Sequence, residues 1–412
     1  MSADPPSSVG HGHNLLLVLI LITGVQAMAT LAVLSLATLA PAVSASFGIG
    51  AHFVGYQVSI IYISAAAISL IAGTLVRRWG AVATSQYALI LCIVGVLGLS
   101  AGNLLVVVIG SLLIGTGYGL TNPAASHLLS RYAPPAHRNL LFSIKQTAVP
   151  LGGVLAGLML PALTALAGWR IALLAGAGLS AALFLVLQIY RRHFDIDREP
   201  GRPLRKNMQS GMRMLAQRSD LIRLSVMAFC FSATQLSLMS FAVSMLVEDL
   251  AKTLVIAGTV VSLMQGFGAF GRIFWGVIAD RFPSGVPILI SIGILSILSS
   301  LAMMFVNPAW PFAAVIVLLC VFGACAIGWN GVFLAEVARV SRPEEVGSMT
   351  GMVLFFTFSG VVVGPTFFAT TYNVLGSYPA TYGVMALFPT IGTVALLGLR
   401  RTSPAVEPHQ KS

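Results

Sequence analysis

The sequence predicts an all-α, polytopic membrane protein: twelve transmembrane helices in two six-helix halves, with both termini cytoplasmic. Three observations carry that prediction. Of 412 residues, 57% are hydrophobic and 8% charged, with a mean hydropathy of +0.92; soluble domains carry about a quarter charged residues, which excludes an ordinary soluble enzyme, a nucleic-acid binder or a disordered scaffold. Apolar runs of about 20 residues, enough to cross about 30 Å of hydrocarbon as helix, recur twelve times. The basic residues collect in alternate connections between those runs.

Cut at charged or Pro/Gly-rich breaks, the runs fall at 14–44, 53–76, 81–102, 104–130, 139–166, 169–190, 221–247, 254–279, 285–306, 310–335, 346–372 and 379–399. The first is too long for a cleavable signal, and residues 1–13 lack the basic segment that precedes one, so it is read as a span behind a short cytoplasmic tail. Arg77 and Arg78, Arg131 and Arg138, the 191–223 segment, Arg281, Arg339 and Arg342, and Arg400, Arg401 and Lys411 lie on one side. Arg170 and Lys252 lie on the other, and Lys145 and Arg272 fall inside spans. The basic side is expected to be cytoplasmic, which makes the net charge of +11 loop charge and places the protein in the cytoplasmic membrane.

The long polar stretch at 191–220 divides a six-helix bundle at 14–190 from another at 221–401, followed by a cytoplasmic tail at 402–412. The halves resemble each other weakly at an offset of 208 residues: Asn122 with Asn330, Arg131 with Arg339, Pro135 with Pro343, Gly152 with Gly360 and Gly168 with Gly376. Cys92, Cys230, Cys320 and Cys325 lie in apolar runs without a CxxC pair, so neither a disulfide framework nor a metal site is expected.

The turn after the second run reads Gly73-Thr-Leu-Val-Arg77-Arg78-Trp-Gly80, and the turn after the eighth reads Gly276-Val-Ile-Ala-Asp280-Arg281-Phe-Pro283. Both resemble the Gly-x-x-x-Asp-Arg-x-Gly loop signature of the major facilitator superfamily of secondary transporters. The second copy keeps Asp-Arg and loses the last Gly; the first carries Arg77 where the family has Asp. The resemblance implies two pseudo-symmetric bundles rocking about a central site, with spans 1, 4, 7 and 10 lining the cavity and spans 2, 5, 8 and 11 at the interface. It also implies a gating or structural role for Gly73, Arg77, Arg78, Gly276, Asp280 and Arg281.

A Lys or Arg at the bilayer centre costs at least about 2.5–3.5 kcal/mol, so Lys145 and Arg272 need a reason. Lys145 lies about 10 Å past Arg138 and Arg272 about 12 Å before Asp280, at matching depths from the basic side. None of the twelve acids falls at mid-membrane. Two cations without a protein carboxylate leave room for an anion as their partner, and the Arg fork suits a carboxylate. The competing explanations are a Lys145 stem that reaches the headgroups and an Arg272 bonded to backbone carbonyls. The run Arg272-x-x-x-Gly276-x-x-x-Asp280 also resembles the eighth span of monocarboxylate transporters and oxalate:formate antiporters, which implies that Arg272 contacts a substrate carboxylate.

Neutral polar residues at helical spacing can complete the site: Gln26 and Thr30, Tyr56 and Gln57, Asn122 (with Tyr118 and Ser126), Gln146, Gln235, Gln265 (with Ser262) and Asn330. Each alone is as readily an interhelical hydrogen bond or, at Asn122-Pro123, a kink. His127 can carry a proton or serve as a bonded structural histidine. Gly266-Phe-Gly268-Ala-Phe-Gly271 satisfies GxGxxG, but mid-span it reads as helix packing rather than a dinucleotide turn.

The expectation is therefore a non-enzymatic transporter of a small mono- or dicarboxylate, without cofactor or nucleic acid. It is expected to act as a monomer in lipid, with a proton or counter-anion as coupling partner. The alternative is a drug or metabolite exporter; those pumps typically carry an Arg on the fourth span four residues before a Gly, the place Ser111 holds before Gly115. A membrane-embedded receptor or enzyme is the remote alternative.

Overall fold

The computed structural model describes residues 8–132, 138–201, 215–341 and 346–399. Pro135, Pro343, Arg342, Glu344, Glu345, Arg400, Arg401, Lys411, Asp4 and Glu407 lie outside them. Within them the chain is helical, and twelve helical segments are long and apolar enough to span a membrane: Leu15–Phe47, Ala51–Trp79, Ala81–Ser100, Leu104–Leu129, Ile144–Ala167, Trp169–Phe194, Ser219–Glu248, Leu254–Ala279, Val286–Met303, Phe312–Val340, Met352–Leu375 and Tyr378–Leu397. They are called spans 1 to 12.

Three spans that read as continuous in the sequence are broken, and proline or glycine chemistry accounts for each break. Span 5 is interrupted at Thr147, between helices Arg138–Gln146 and Ala148–Ala167. Pro150 has no amide hydrogen to return to Gln146, four residues back. Span 12 is interrupted at Ala386, four residues after Tyr382 and three before Pro389, whose missing amide frees the Met385 carbonyl. Span 10 divides into Phe312–Ala326 and Asn330–Val340 around Gly328. A Cβ added at Gly328 would lie 2.3 Å from the Ala324 carbonyl, so only glycine permits this close turn.

Part of the repeat is visible in the backbone. Gly168 and Gly376, paired by the offset of 208, both follow a span with positive φ, +86° and +65°. Gly152 sits against the Ala27 carbonyl of span 1, and Gly360 against the Phe229 carbonyl of span 7.

Spans 2 and 11 and spans 5 and 8 join the two halves. On the face opposite the central loop the seam is shut. Tyr56 and Thr370 share a hydrogen bond of 3.1 Å, and the Ser59 hydroxyl lies 2.6 Å from the Val362 carbonyl. Ser262 donates to the Val154 carbonyl at 3.0 Å, and Gly157 backs onto Gly258 so closely that a Cβ there would lie 2.6 Å from its carbonyl. Toward the central loop the contact ends: a Cβ added at Gly73 or Gly276 would meet nothing within 4 Å.

The start of the central loop is fastened to that face. Asp195 accepts from the Val82 and Ala83 amides, each at 2.8 Å, and so occupies the positive N-terminus of span 3. Gly80, at φ +97°, leaves it the room. Burial pushes the Asp195 carboxyl above its ordinary value despite those amides. Asp197 bonds His127 at 2.7 Å and Arg131 at 3.3 Å. Partial burial opposes its charge, but the His127 hydrogen bond and charge and the Arg131 guanidinium hold this carboxyl below its ordinary value.

A folded value below the unfolded one stabilises above the usual carboxylate pKa of about 3.9 and is lost as pH falls through the folded value. The melting-temperature advantage of the native protein over Asp197→Asn is therefore expected at neutral pH and to shrink below about pH 4. An advantage constant from pH 7 to 3 would contradict this assignment.

Candidate functional site: a pair of cations between the halves

Lys145 and Arg272 are both buried, 3% and 9% exposed. The Lys145 ammonium turns inward rather than toward the headgroups. It donates to the side-chain carbonyl oxygens of Asn122 on span 4 and Gln26 on span 1. Thr121 donates to the same Gln26 oxygen at 2.8 Å, which fixes that amide with its oxygen toward the lysine. Thr30, one turn on, donates to the Gln26 backbone carbonyl at 2.8 Å.

Arg272 projects from span 8 to two carbonyls released by helix breaks. Nη1 donates to the Gln146 carbonyl at 2.6 Å, the oxygen that Pro150 leaves without a helical donor. Nε donates to Ile327 at 3.1 Å, in the break of span 10. Nη2 makes no hydrogen bond to a described residue. The competing reading, backbone contacts for Arg272, thus describes two of its nitrogens, and the third bonds no described residue. The two cations meet at span 5, since Arg272 bonds the carbonyl of Gln146, the residue after Lys145; Tyr118, on span 4, lies edge-on to Tyr62 at 5.5 Å.

Among the described residues neither cation forms an ion pair. Five of the described acids are engaged elsewhere: Asp195 and Asp197 on the loop face, Asp220 with Arg218, Glu336 with Arg339, and Asp249 at the Tyr378 amide. No group of His, Cys, Asp or Glu suited to a metal occurs among the described residues.

The other predicted site residues divide into five places. Gln26, Thr30, Asn122 and the Gln146 carbonyl belong to the cation pair. Gln265 is 1% exposed and packs against Gly153 in the shut seam, with both amide atoms lacking partners. Gln235 and Asn330 form a matching arrangement in the second half: Gln235 Oε1 accepts from Trp329 Nε1 at 3.0 Å and from Asn330 Nδ2 at 3.2 Å. Trp329 and Asn330 are the offset-208 counterparts of Thr121 and Asn122, but the counterpart of Lys145 is Val353, so only the first half presents an ammonium.

Tyr56 and Gln57 lie near the shut face; Tyr56 closes the seam and Gln57 donates to Ser111 at 3.0 Å inside the first half. His127 is held by Asp197 on the loop face, away from the cation pair. Asp280 and Arg281 are exposed at the end of span 8 and their side chains bond no described residue, while Arg77 lends its carbonyl to the Glu199 amide at 2.6 Å. Sequence reading missed Thr121, Tyr62 and the Ile327 carbonyl. The one signal available was a proline four residues after Gln146.

A family model described as Major Facilitator Superfamily matches residues 19–365. The chain belongs to the major facilitator superfamily. Its fold matches a bacterial homologue of the human lysosomal transporter Spinster in an inward-facing, occupied conformation, with a TM-score of 0.73 at 14% identity over 94% of this chain and 97% of that one. It also matches a POT family transporter in complex with 5-aminolevulinic acid, with a TM-score of 0.72 at 15% identity over 95% and 96% of the two chains. These likenesses concern the fold.

Among curated relatives, H(+)/hexose cotransporter 2 of Parachlorella kessleri is 37% identical over 131 residues, 31% of this chain and 24% of that protein. Sugar transport protein 6 of Arabidopsis thaliana is 36% identical over 138 residues, 32% and 27% of the two. The chain thus spans about a quarter of the length of the curated relatives it matches. Their names speak of sugars, and the organic-anion branches that the eighth span resembles are not among them. The protein is a multi-pass membrane member of this transporter superfamily.

Proposed function

We propose that this transporter moves a small mono- or dicarboxylate across the cytoplasmic membrane by alternating access, with both termini inside. One observation carries the reading: Lys145 and Arg272 are buried inside the protein and bonded only to neutral oxygens. Buried cations without a counter-charge are costly, and a substrate carboxylate supplies the missing charge together with two acceptors for the free donors. Gln26, Asn122 and the Gln146 carbonyl hold the cations in place. In this reading the monomer is the transporting unit.

The relatives' names favour a second reading, a hexose carrier, for which Gln26, Gln235 and Gln265 offer amides to hydroxyls. Export of a cationic drug fits poorly with two cations and no acid at the centre. Uptake into proteoliposomes of labelled carboxylates, hexoses and lipophilic dyes, with and without a pH gradient, separates the readings. Saturable carboxylate uptake supports the anion site. Hexose uptake without carboxylate competition overturns it. Proton coupling would use His127, a deprotonating Lys145 or a proton carried on the substrate, whereas anion exchange needs none of these, and the pH-gradient arm distinguishes them.

Alternating access requires the loop face to close over Gly73 and Gly276. Gly276→Leu is expected to fold normally, since nothing meets its Cβ here. An overpacking penalty of about 1.4 kcal/mol on closure would cut turnover about tenfold. The check is transport rate alongside labelling of a loop-face cysteine by an impermeant thiol reagent. Normal turnover would show that this glycine does not enter the closed seam.

A further inference from the structure

Arg272 is anchored at both ends of a gap. Nε holds the Ile327 carbonyl in its own half, Nη1 holds the Gln146 carbonyl in the other half, and Nη2 is unused. A carboxylate that takes the end of a guanidinium fork uses the two terminal nitrogens side by side. Nη2 is free, and Nη1 already spends one of its two hydrogens on span 5. An anion that turns the fork toward itself pulls Nη1 out of line with the Gln146 carbonyl, so anion binding and the bond between the halves oppose each other.

We propose that the Arg272–Gln146 contact is a latch between the two halves that the substrate anion opens, and that Pro150 is the positioning residue that keeps the latch carbonyl available. The proposal rests on the anion reading above. Binding draws Nη1 away from span 5 while Nε keeps Arg272 on span 10, so an occupied site lacks the polar tie between the halves that the empty one has. A ligand shifts a conformational equilibrium only through differential affinity for its states, and the broken latch is that difference. Spans 5 and 8 then stay joined only by the small-residue seam at Gly157, Gly258 and Ser262.

Pro150→Ala isolates the latch without touching a cation. Its new amide pairs with the Gln146 carbonyl, and Nη1 is released. Titration of acetate, lactate and succinate into the purified transporter in nanodiscs is expected to give at least about threefold tighter binding for this variant than for the native protein. Spin labels at Ile144 and Phe274, exposed positions on spans 5 and 8, report the second readout. The native distance distribution shifts when the bound carboxylate is added, and Pro150→Ala shows the shifted distribution without it.

Equal affinities and unchanged distances, with binding still abolished by Arg272→Gln, overturn the latch and leave the anion site standing. Normal binding by Arg272→Gln, or no binding of any of the three anions by the native protein, overturns the anion site and the latch with it. Should Pro150→Ala not fold, the native distance measurement decides alone: no carboxylate-dependent shift overturns the latch.

Discussion

Lys145→Met is expected to abolish saturable carboxylate uptake while raising the melting temperature. The substitution keeps the length and apolar stem of the side chain and removes its charge. If the ammonium serves the substrate, its loss removes a desolvated charge–charge contact, for which about 3–5 kcal/mol is a typical penalty, or at least about a hundredfold in kcat/KM. The fold loses little, because Gln26 Oε1 keeps its bond from Thr121 and a cation without a counter-charge is no longer buried. A lysine kept for structure predicts the reverse pattern: a lower melting temperature with transport intact. Measuring uptake and thermal unfolding on the same preparation separates the two.

Arg272→Lys is the second large effect. An ammonium has three donors at one point, whereas the guanidinium reaches two carbonyls on different spans and keeps a third nitrogen free. Lysine at this place can serve the carbonyls or the anion but not all of them. Carboxylate affinity is expected to fall at least tenfold, about 1.4 kcal/mol, although the charge is conserved. Arg272→Gln, without charge, is expected to show no saturable binding. Native affinity in Arg272→Lys would mean that only charge, not fork geometry, is read at this position.

Much of this was legible in the sequence because the bilayer leaves few options. Span number follows from apolar length, and the 208-residue repeat survives as Gly168 and Gly376, whose positive φ few other residues tolerate. The depth of Lys145 and Arg272 could be counted along their helices, but side-chain direction could not: a lysine at that depth reaches headgroups as easily as Asn122. What turns it inward is the Gln26–Thr121 pair, a contact between spans 1 and 4 that no local pattern encodes. The breaks in spans 5 and 10 were equally hidden, since hydropathy sees only composition; yet those breaks release the Gln146 and Ile327 carbonyls that position Arg272. Tyr56, Gln57 and His127 carry the right chemistry and lie at the wrong depth for the cation pair, which helical spacing on one span cannot reveal.

The most direct test of the central claim, that the cation pair awaits a negative charge, compares a carboxylate with its isosteric neutral amide. Lactate and lactamide, acetate and acetamide, and succinate and succinamide differ in charge and hardly in shape. Calorimetric titration of the native protein is expected to show binding of at least one carboxylate at least a hundredfold tighter than its amide, a difference that disappears in the Lys145→Met, Arg272→Gln double variant. Equal affinity for acid and amide, or hexose binding that survives the double variant, would contradict the account.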